Sequence, residues 1–106
     1  NDLTFVEAAR SFSVRILKEG GEGDGPRLRW AWKQATGREP EAADLELLAG
    51  ILGRHRAKFT LHPEMAAAAL KAGIAPNPEG IEPAEQAAWL SVARVLLNLH
   101  ETITRS

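Results

Sequence analysis

The sequence predicts an all-α fold, a small bundle of four main helices and one short helix, and two observations support this. Apolar residues recur at the i, i+3, i+4 spacing of amphipathic helices in long runs that glycine and proline clusters separate. No segment has the apolar–polar alternation that is typical of strands, and no internal repeat is present. A chain of 106 residues is the size of one small domain, so we expect residues 1–106 to form a single all-α unit.

The last apolar run, residues 83–103, is predicted to be the central helix of the bundle. At 100° per residue, its apolar side chains cover an arc of about 220° on a helical wheel. The remaining narrow stripe is polar and contains Ser91, Arg94, Asn98, Glu101 and Arg105. A helix with so wide an apolar arc must be covered on several sides, so we expect it to pack against the first and third helices.

The first two helices have recognisable start and stop signals. The first is predicted over residues 5–19, with a capping box formed by Thr4 and Glu7. The loop GGEGDG follows, and it has neither the lysine nor the Ser/Thr of a phosphate-binding loop. The second helix is predicted to start between Asp24 and Pro26, with Asp24 as its N-cap, and to end at Gly37. Glycine favours the left-handed conformation in which many helices end.

The third helix is predicted over residues 41–59, after the turn TGREP. Beside its apolar arc it has a second face of small residues, Gly50, Gly53 and Ala57, where another helix can approach closely. A short peripheral helix is predicted over residues 64–72, and the proline-containing stretch IAPNPEGIEP is predicted to be extended.

Trp30 is the candidate contact residue of the second helix. It projects away from the apolar face, beside the basic residues Arg27, Arg29 and Lys33. One interpretation is an indole lying against the next helix or under the long basic side chains. The other is a contact surface for a missing part of a larger protein. The sequence leaves both open.

Two histidines are the candidate ligands. His55 and His100 fall inside the apolar arcs of two different helices, and inward histidines of a bundle can bind haem or a metal. Neither helix has a Glu-x-x-His or His-x-x-x-His pattern. We therefore expect half-buried histidines bonded to backbone carbonyls near helix ends, and no cofactor.

Composition argues against several classes of function. The chain has no cysteine, which excludes disulfides, thiolate zinc sites and covalent haem attachment. Its net charge of −1 offers no general attraction to nucleic acid, and acidic residues crowd the start of the third helix, where a DNA-recognition helix would face phosphates. No apolar run reaches the length of a membrane span, and no serine or carboxylate pair forms a recognisable catalytic pattern.

Three motifs in order carry a resemblance to a known family: NDLTFVEAAR, ATGREP and AAWLSVARVLLNLHE. Together they resemble the C-terminal domain of unknown function of large exported planctomycete-type proteins, many of which have an N-terminal cytochrome-c-like domain. The chain departs from the family pattern at three positions. The family usually has proline where this chain has Leu3, a residue such as threonine where it has Glu41, and commonly an acidic residue where it has His100. The family's haem-attachment motif belongs to another domain, and the resemblance assigns no catalytic residue here.

The resemblance implies a C-terminal fragment of an exported multidomain protein, located in the periplasm or cell envelope, whose upstream domains are its partners. We therefore expect a non-catalytic structural or interaction domain. The alternative is that it forms part of the wall of an enzyme or redox site that the upstream domains complete. The sequence leaves the oligomeric state open.

Overall fold

The computed structural model describes residues 3–71 and 80–105, without the side chains of Leu3 and of residues 100–105. The described residues form the helices α1 (Leu3–Glu19), α2 (Asp24–Thr36), α3 (Ala42–Leu61), α4 (Pro63–Leu70) and α5 (Pro83–Arg105), and no strand. The predicted all-α bundle of four main helices and one short helix is therefore confirmed. None of these helices, over the part of the chain described, is both long and apolar enough to cross a membrane.

Helix α5 is the centre of the bundle, as its wide apolar arc predicts. It packs against each of the other four helices, most extensively against α3 and α1. Its side chains Trp89, Val92, Ala93 and Leu96 are completely buried. Because each fully buried large apolar side chain contributes about 2 kcal/mol, α5 supplies a major share of the stabilising burial.

The surrounding helices complete the core with one apolar face each. Ile16 of α1, Leu48 and Leu52 of α3, and Leu28 of α2 are buried against the central helix or its neighbours. These residues recur at helical spacing in the sequence, which is why their burial is predictable. The opposite faces carry most of the charged residues.

Two predicted N-caps are wrong, although α2 does start at Asp24 as predicted. Helix α1 begins at Leu3, so Thr4 lies inside the helix and is not its N-cap. The N-cap of α2 is Gly23, with φ of 92°, rather than Asp24. Asp24 is the first residue of α2, and its carboxylate is engaged in an ion pair with a distant arginine instead of capping the helix.

The turn between α2 and α3 follows the prediction. Gly37 has φ of 77°, the left-handed conformation that glycine adopts without steric cost, and its N–H donates to the carbonyl of Lys33 at 2.8 Å. Helix α3 then begins after Glu41, whose backbone N–H donates to the Asp44 carboxylate at 2.8 Å. The side chain of Asp44 thus satisfies a backbone donor at the helix start.

The small-residue face of α3 is open to solvent. Gly53 and Ala57 are exposed, and a Cβ atom added to Gly53 would meet nothing within 4 Å. The close approach of another helix that this face predicts is therefore not provided within the described part of the chain.

Candidate functional site

A groove of about 360 Å³ lies between α3, α4 and α5. We call it the α3–α5 groove, and its characteristic residues are His55, Lys58, Phe59, Leu90, Arg94 and Val95. The polar stripe of α5 forms one side of it, because Ser91, Arg94 and Asn98 succeed one another at helical spacing and all line the groove. The stripe that interrupts the apolar arc is therefore the wall of a cavity.

His55 lies in this groove as a half-buried side chain. Its ring centroid is 6.0 Å from that of Phe59, and its Nδ1 atom is buried without a hydrogen-bond partner among the described residues. The predicted bond to a backbone carbonyl is thus absent at this atom. Burial, followed by the positive charges of Lys58 and Arg54, holds the pKa of His55 below its usual value. These surroundings favour the neutral imidazole over the imidazolium form.

Two basic side chains, Lys58 and Arg94, line the groove. The Nζ atom of Lys58 is 5.3 Å from the centre of the Phe59 ring, and the guanidinium carbon of Arg94 is 5.9 Å from the centre of the Phe5 ring of α1. Both contacts have the geometry of a cation–π interaction. None of the described residues that line the groove is acidic. The groove therefore combines an apolar floor with a positive rim.

The structure separates the four residues predicted as a contact surface on α2. Trp30 turns towards α1, where its ring centroid is 6.4 Å from that of Phe12 and the Arg15 guanidinium lies 5.4 Å from the ring centre. Its indole is half-buried. The helix it packs on is the preceding one, and the cation on it belongs to α1 rather than to α2.

The three basic residues of the predicted surface have two different partners. Arg27 bonds the end of α1, with Nε 3.1 Å from the carbonyl of Gly21 and Nη2 3.3 Å from that of Leu17. Arg29 and Lys33 both bind Glu39, at 3.1 and 2.9 Å. The two cations keep the pKa of the exposed Glu39 carboxyl below its usual value, Lys33 having the larger effect. The role of these four residues as a contact surface for another part of a larger protein stays a prediction.

Arg56 forms an ion-pair network that the sequence analysis missed. Its guanidinium binds both carboxylate oxygens of Asp24, at 2.9 and 3.0 Å, and both of Glu85, at 2.9 and 2.6 Å. The indole N–H of Trp89 donates to the same Glu85 carboxylate at 3.1 Å. We call these residues the Arg56 network. It joins the first turns of α2 and α5 to the middle of α3.

The electrostatics of the Arg56 network are mutually stabilising. Hydrogen bonds from Arg56 hold the pKa of both Asp24 and Glu85 below their usual values, and the two carboxylates raise that of Arg56. Asp24 and Glu85 are 32 and 29 positions from Arg56 in the sequence, so spacing gives no sign of their contact with it. All their charges are paired, which indicates a structural role.

The described residues contain no group of three or more His, Cys, Asp or Glu side chains that could hold a metal ion. His100, the second predicted ligand, belongs to α5, but its side chain lies outside the described ones. Ligation by the pair His55 and His100 therefore stays an untested hypothesis.

Comparison with known proteins does not identify a family for this chain. The chain matches no protein-family model, no curated protein and no solved structure. The resemblance to the C-terminal domain of exported planctomycete-type proteins therefore stays a prediction from three sequence motifs.

Proposed function

We propose that this chain is a non-catalytic interaction domain that binds an acidic, partly apolar polypeptide segment in the α3–α5 groove. The observation that supports this is the pairing of an apolar floor with Lys58 and Arg94 at a groove whose described lining has no carboxylate. A segment with a carboxylate beside an apolar side chain complements both features.

The shape of the groove fits such a ligand. A volume of about 360 Å³ is at the small end of the range for ligand sites, enough for a few side chains rather than a large cofactor. Phe59 and Leu90 offer apolar contact, and the two cations attract and orient a carboxylate.

The natural source of the segment, in this proposal, is the rest of a larger protein. The family resemblance implies an exported multidomain protein in which this domain is C-terminal and the upstream domains are its partners. An intramolecular partner needs only weak intrinsic affinity, because tethering raises its effective concentration. A small groove with two cations is adequate for that.

The second candidate function is that the groove forms one wall of an enzyme or redox site. The buried, unpartnered Nδ1 atom of His55 favours it, because a neutral imidazole can accept a proton or bind a ligand. In that case His55→Gln would abolish the activity of the complete protein while leaving its assembly intact. Unchanged activity of that variant would eliminate this candidate.

The smallest probe of the groove is hexanoate, which has one carboxylate and one apolar chain. In ¹⁵N-resolved NMR spectra of the 106-residue chain, hexanoate is expected to shift the amide signals of Leu90, Ser91 and Arg94, with affinity in the millimolar range for so small a ligand. Hexylammonium, which has the same apolar chain and the opposite charge, is expected to produce much smaller shifts.

Arg94→Gln is the matched test of the positive rim. It should weaken hexanoate binding about tenfold, the effect of losing one charge-assisted contact. Arg15→Gln, which removes an exposed cation on the α1 side of the molecule, should leave binding unchanged. Equal shifts with both probes, or equal affinity of the Arg94→Gln variant, would contradict the proposal.

A further inference from the structure

We propose that the outward face of α3 is a self-association surface, on which a second copy of the chain docks its own α3 in antiparallel orientation. This surface, the α3 seam, comprises Ala43, Leu47, Gly50, Arg54, Ala57 and Leu61. The proposal is independent of the α3–α5 groove, which lies on another side of the helix.

The α3 seam has the residue spacing of a helix–helix contact. Its members alternate four and three positions apart over the whole of α3, the 3.5-residue repeat by which two helices remain in contact along their length. Leu47 and Leu61 are 57% and 75% exposed, on the side of α3 opposite the face that is buried in the core. Small residues occupy the alternate positions of the seam.

The glycines of α3 have no explanation within the single chain. Glycine weakens a helix interior, and α3 has two, Gly50 and Gly53. A Cβ atom at Gly53 would meet nothing within 4 Å, and one at Gly50 would meet only the flexible Arg54 side chain. Gly53 therefore makes room for no part of the described chain, and only the side chain of Arg54 lies over Gly50. Because glycine has no side chain, glycines on the outward face of a helix let a helix of another molecule approach closely.

The antiparallel arrangement makes the α3 seam self-complementary. With a two-fold axis at the level of residue 52, Ala43 lies opposite Leu61 of the second copy, and Leu47 lies opposite Ala57. Gly50 lies opposite Arg54. Each large side chain thus meets a small one, in the isologous manner of a two-fold dimer.

Charge selects the antiparallel orientation over the parallel one. The first half of α3 contains Asp44 and Glu46, and the second half contains Arg54 and Lys58. An antiparallel pair brings the acidic first half of each copy against the basic second half of the other, with Arg54 about one helical turn from Glu46 of the other copy, whereas a parallel pair would set like charges together. Neither Arg54 nor Glu46 forms an ion pair with any residue that the structure describes.

The expected dimer is weak and reversible. A single pair of 20-residue helices buries about 1,000 Å² in total, below the range of standard stable interfaces. We therefore expect a dissociation constant in the micromolar range, and a monomer–dimer equilibrium in sedimentation velocity of the full chain. A chain that stays monomeric up to millimolar concentration would overturn the proposal.

Ala57→Glu tests the location of the contact. It places a bulky charge opposite Leu47 of the second copy and should weaken dimerisation at least about tenfold, without loss of helix content because the site is exposed. Ala49→Glu is the matched control, since Ala49 is an equally exposed alanine of α3 outside the seam. Equal effects of the two substitutions would overturn the proposal.

A charge exchange tests the orientation. Glu46→Lys and Arg54→Glu should each weaken the dimer several-fold, and the double variant should restore it, because the pair between copies is then reversed. The two residues are eight positions apart, about 12 Å along one helix, so restoration cannot come from a contact within one copy. Failure of the double variant to recover affinity would overturn the antiparallel arrangement.

Discussion

Replacing Trp89 with alanine is expected to lower the free energy of unfolding by about 4 kcal/mol, near the upper end of the range for single substitutions. Trp89 is completely buried in the second turn of α5, so its removal leaves a cavity that the surrounding helices cannot fill. It also removes the N–H donor to Glu85. Urea unfolding followed by circular dichroism at 222 nm measures the change.

Two further variants keep this prediction interpretable. Trp89→Phe retains most of the apolar volume and loses the N–H, so it should lower the free energy of unfolding clearly less than Trp89→Ala does. It should also stay folded under conditions that unfold the alanine variant. Val95→Ala, at an exposed position of the same helix, should change the free energy of unfolding by less than about 0.5 kcal/mol. A loss below about 1 kcal/mol for Trp89→Ala would contradict the central position of α5.

The second large effect is expected from Arg56→Met, which should cost about 2 kcal/mol at pH 7. The substitution keeps the apolar part of the side chain and leaves Asp24 and Glu85 without a counter-ion. All three side chains are partly exposed, between 31% and 47%, and solvent screening keeps the expected loss well below that of a fully buried pair. Arg56→Lys should be intermediate, because lysine keeps the charge but not the two-pronged geometry.

The contribution of the Arg56 network should depend on pH in a defined direction. Because the folded state lowers the pKa of Asp24 and Glu85, the stabilisation is complete above their usual values of 3.8 and 4.5 and is lost as pH falls through the lower folded values. The difference in unfolding free energy between wild type and Arg56→Met should therefore shrink from pH 7 to pH 3. Arg29→Met, which breaks the exposed contact with Glu39, should have little effect at either pH. A difference independent of pH would contradict the ion-pair assignment.

The fold was predictable because burial in a helical bundle follows local periodicity. The start of α5 at Pro83 and its central position came from the width of one apolar arc, and the end of α2 came from Gly37. The start of α2 was predicted correctly, but its N-cap was misjudged, because an aspartate at a helix start is typical of an N-cap. Here a tertiary ion pair with Arg56 engages the carboxylate of Asp24 instead.

The candidate site was only partly predictable. Periodicity placed His55 in the apolar arc of α3 and grouped Ser91, Arg94 and Asn98 in one stripe, yet only the packing of α3 against α5 brings them to a common groove. Trp30 was predicted to point away from the apolar face of its own helix. Its contact with Phe12 depends on how α1 crosses α2, which local spacing does not encode.

The pKa of His55, measured by NMR with and without hexanoate, tests the proposed binding function of the α3–α5 groove most directly. A His55→Gln variant identifies its signal among the three histidines. Without ligand, the pKa should lie below the usual value of 6.5, because burial and the nearby cations disfavour the imidazolium form. Bound carboxylate should raise that pKa, since it brings a negative charge next to the ring. A ligand-free pKa at or above 6.5, or a pKa that hexanoate leaves unchanged, would contradict a positive groove that binds carboxylates beside His55.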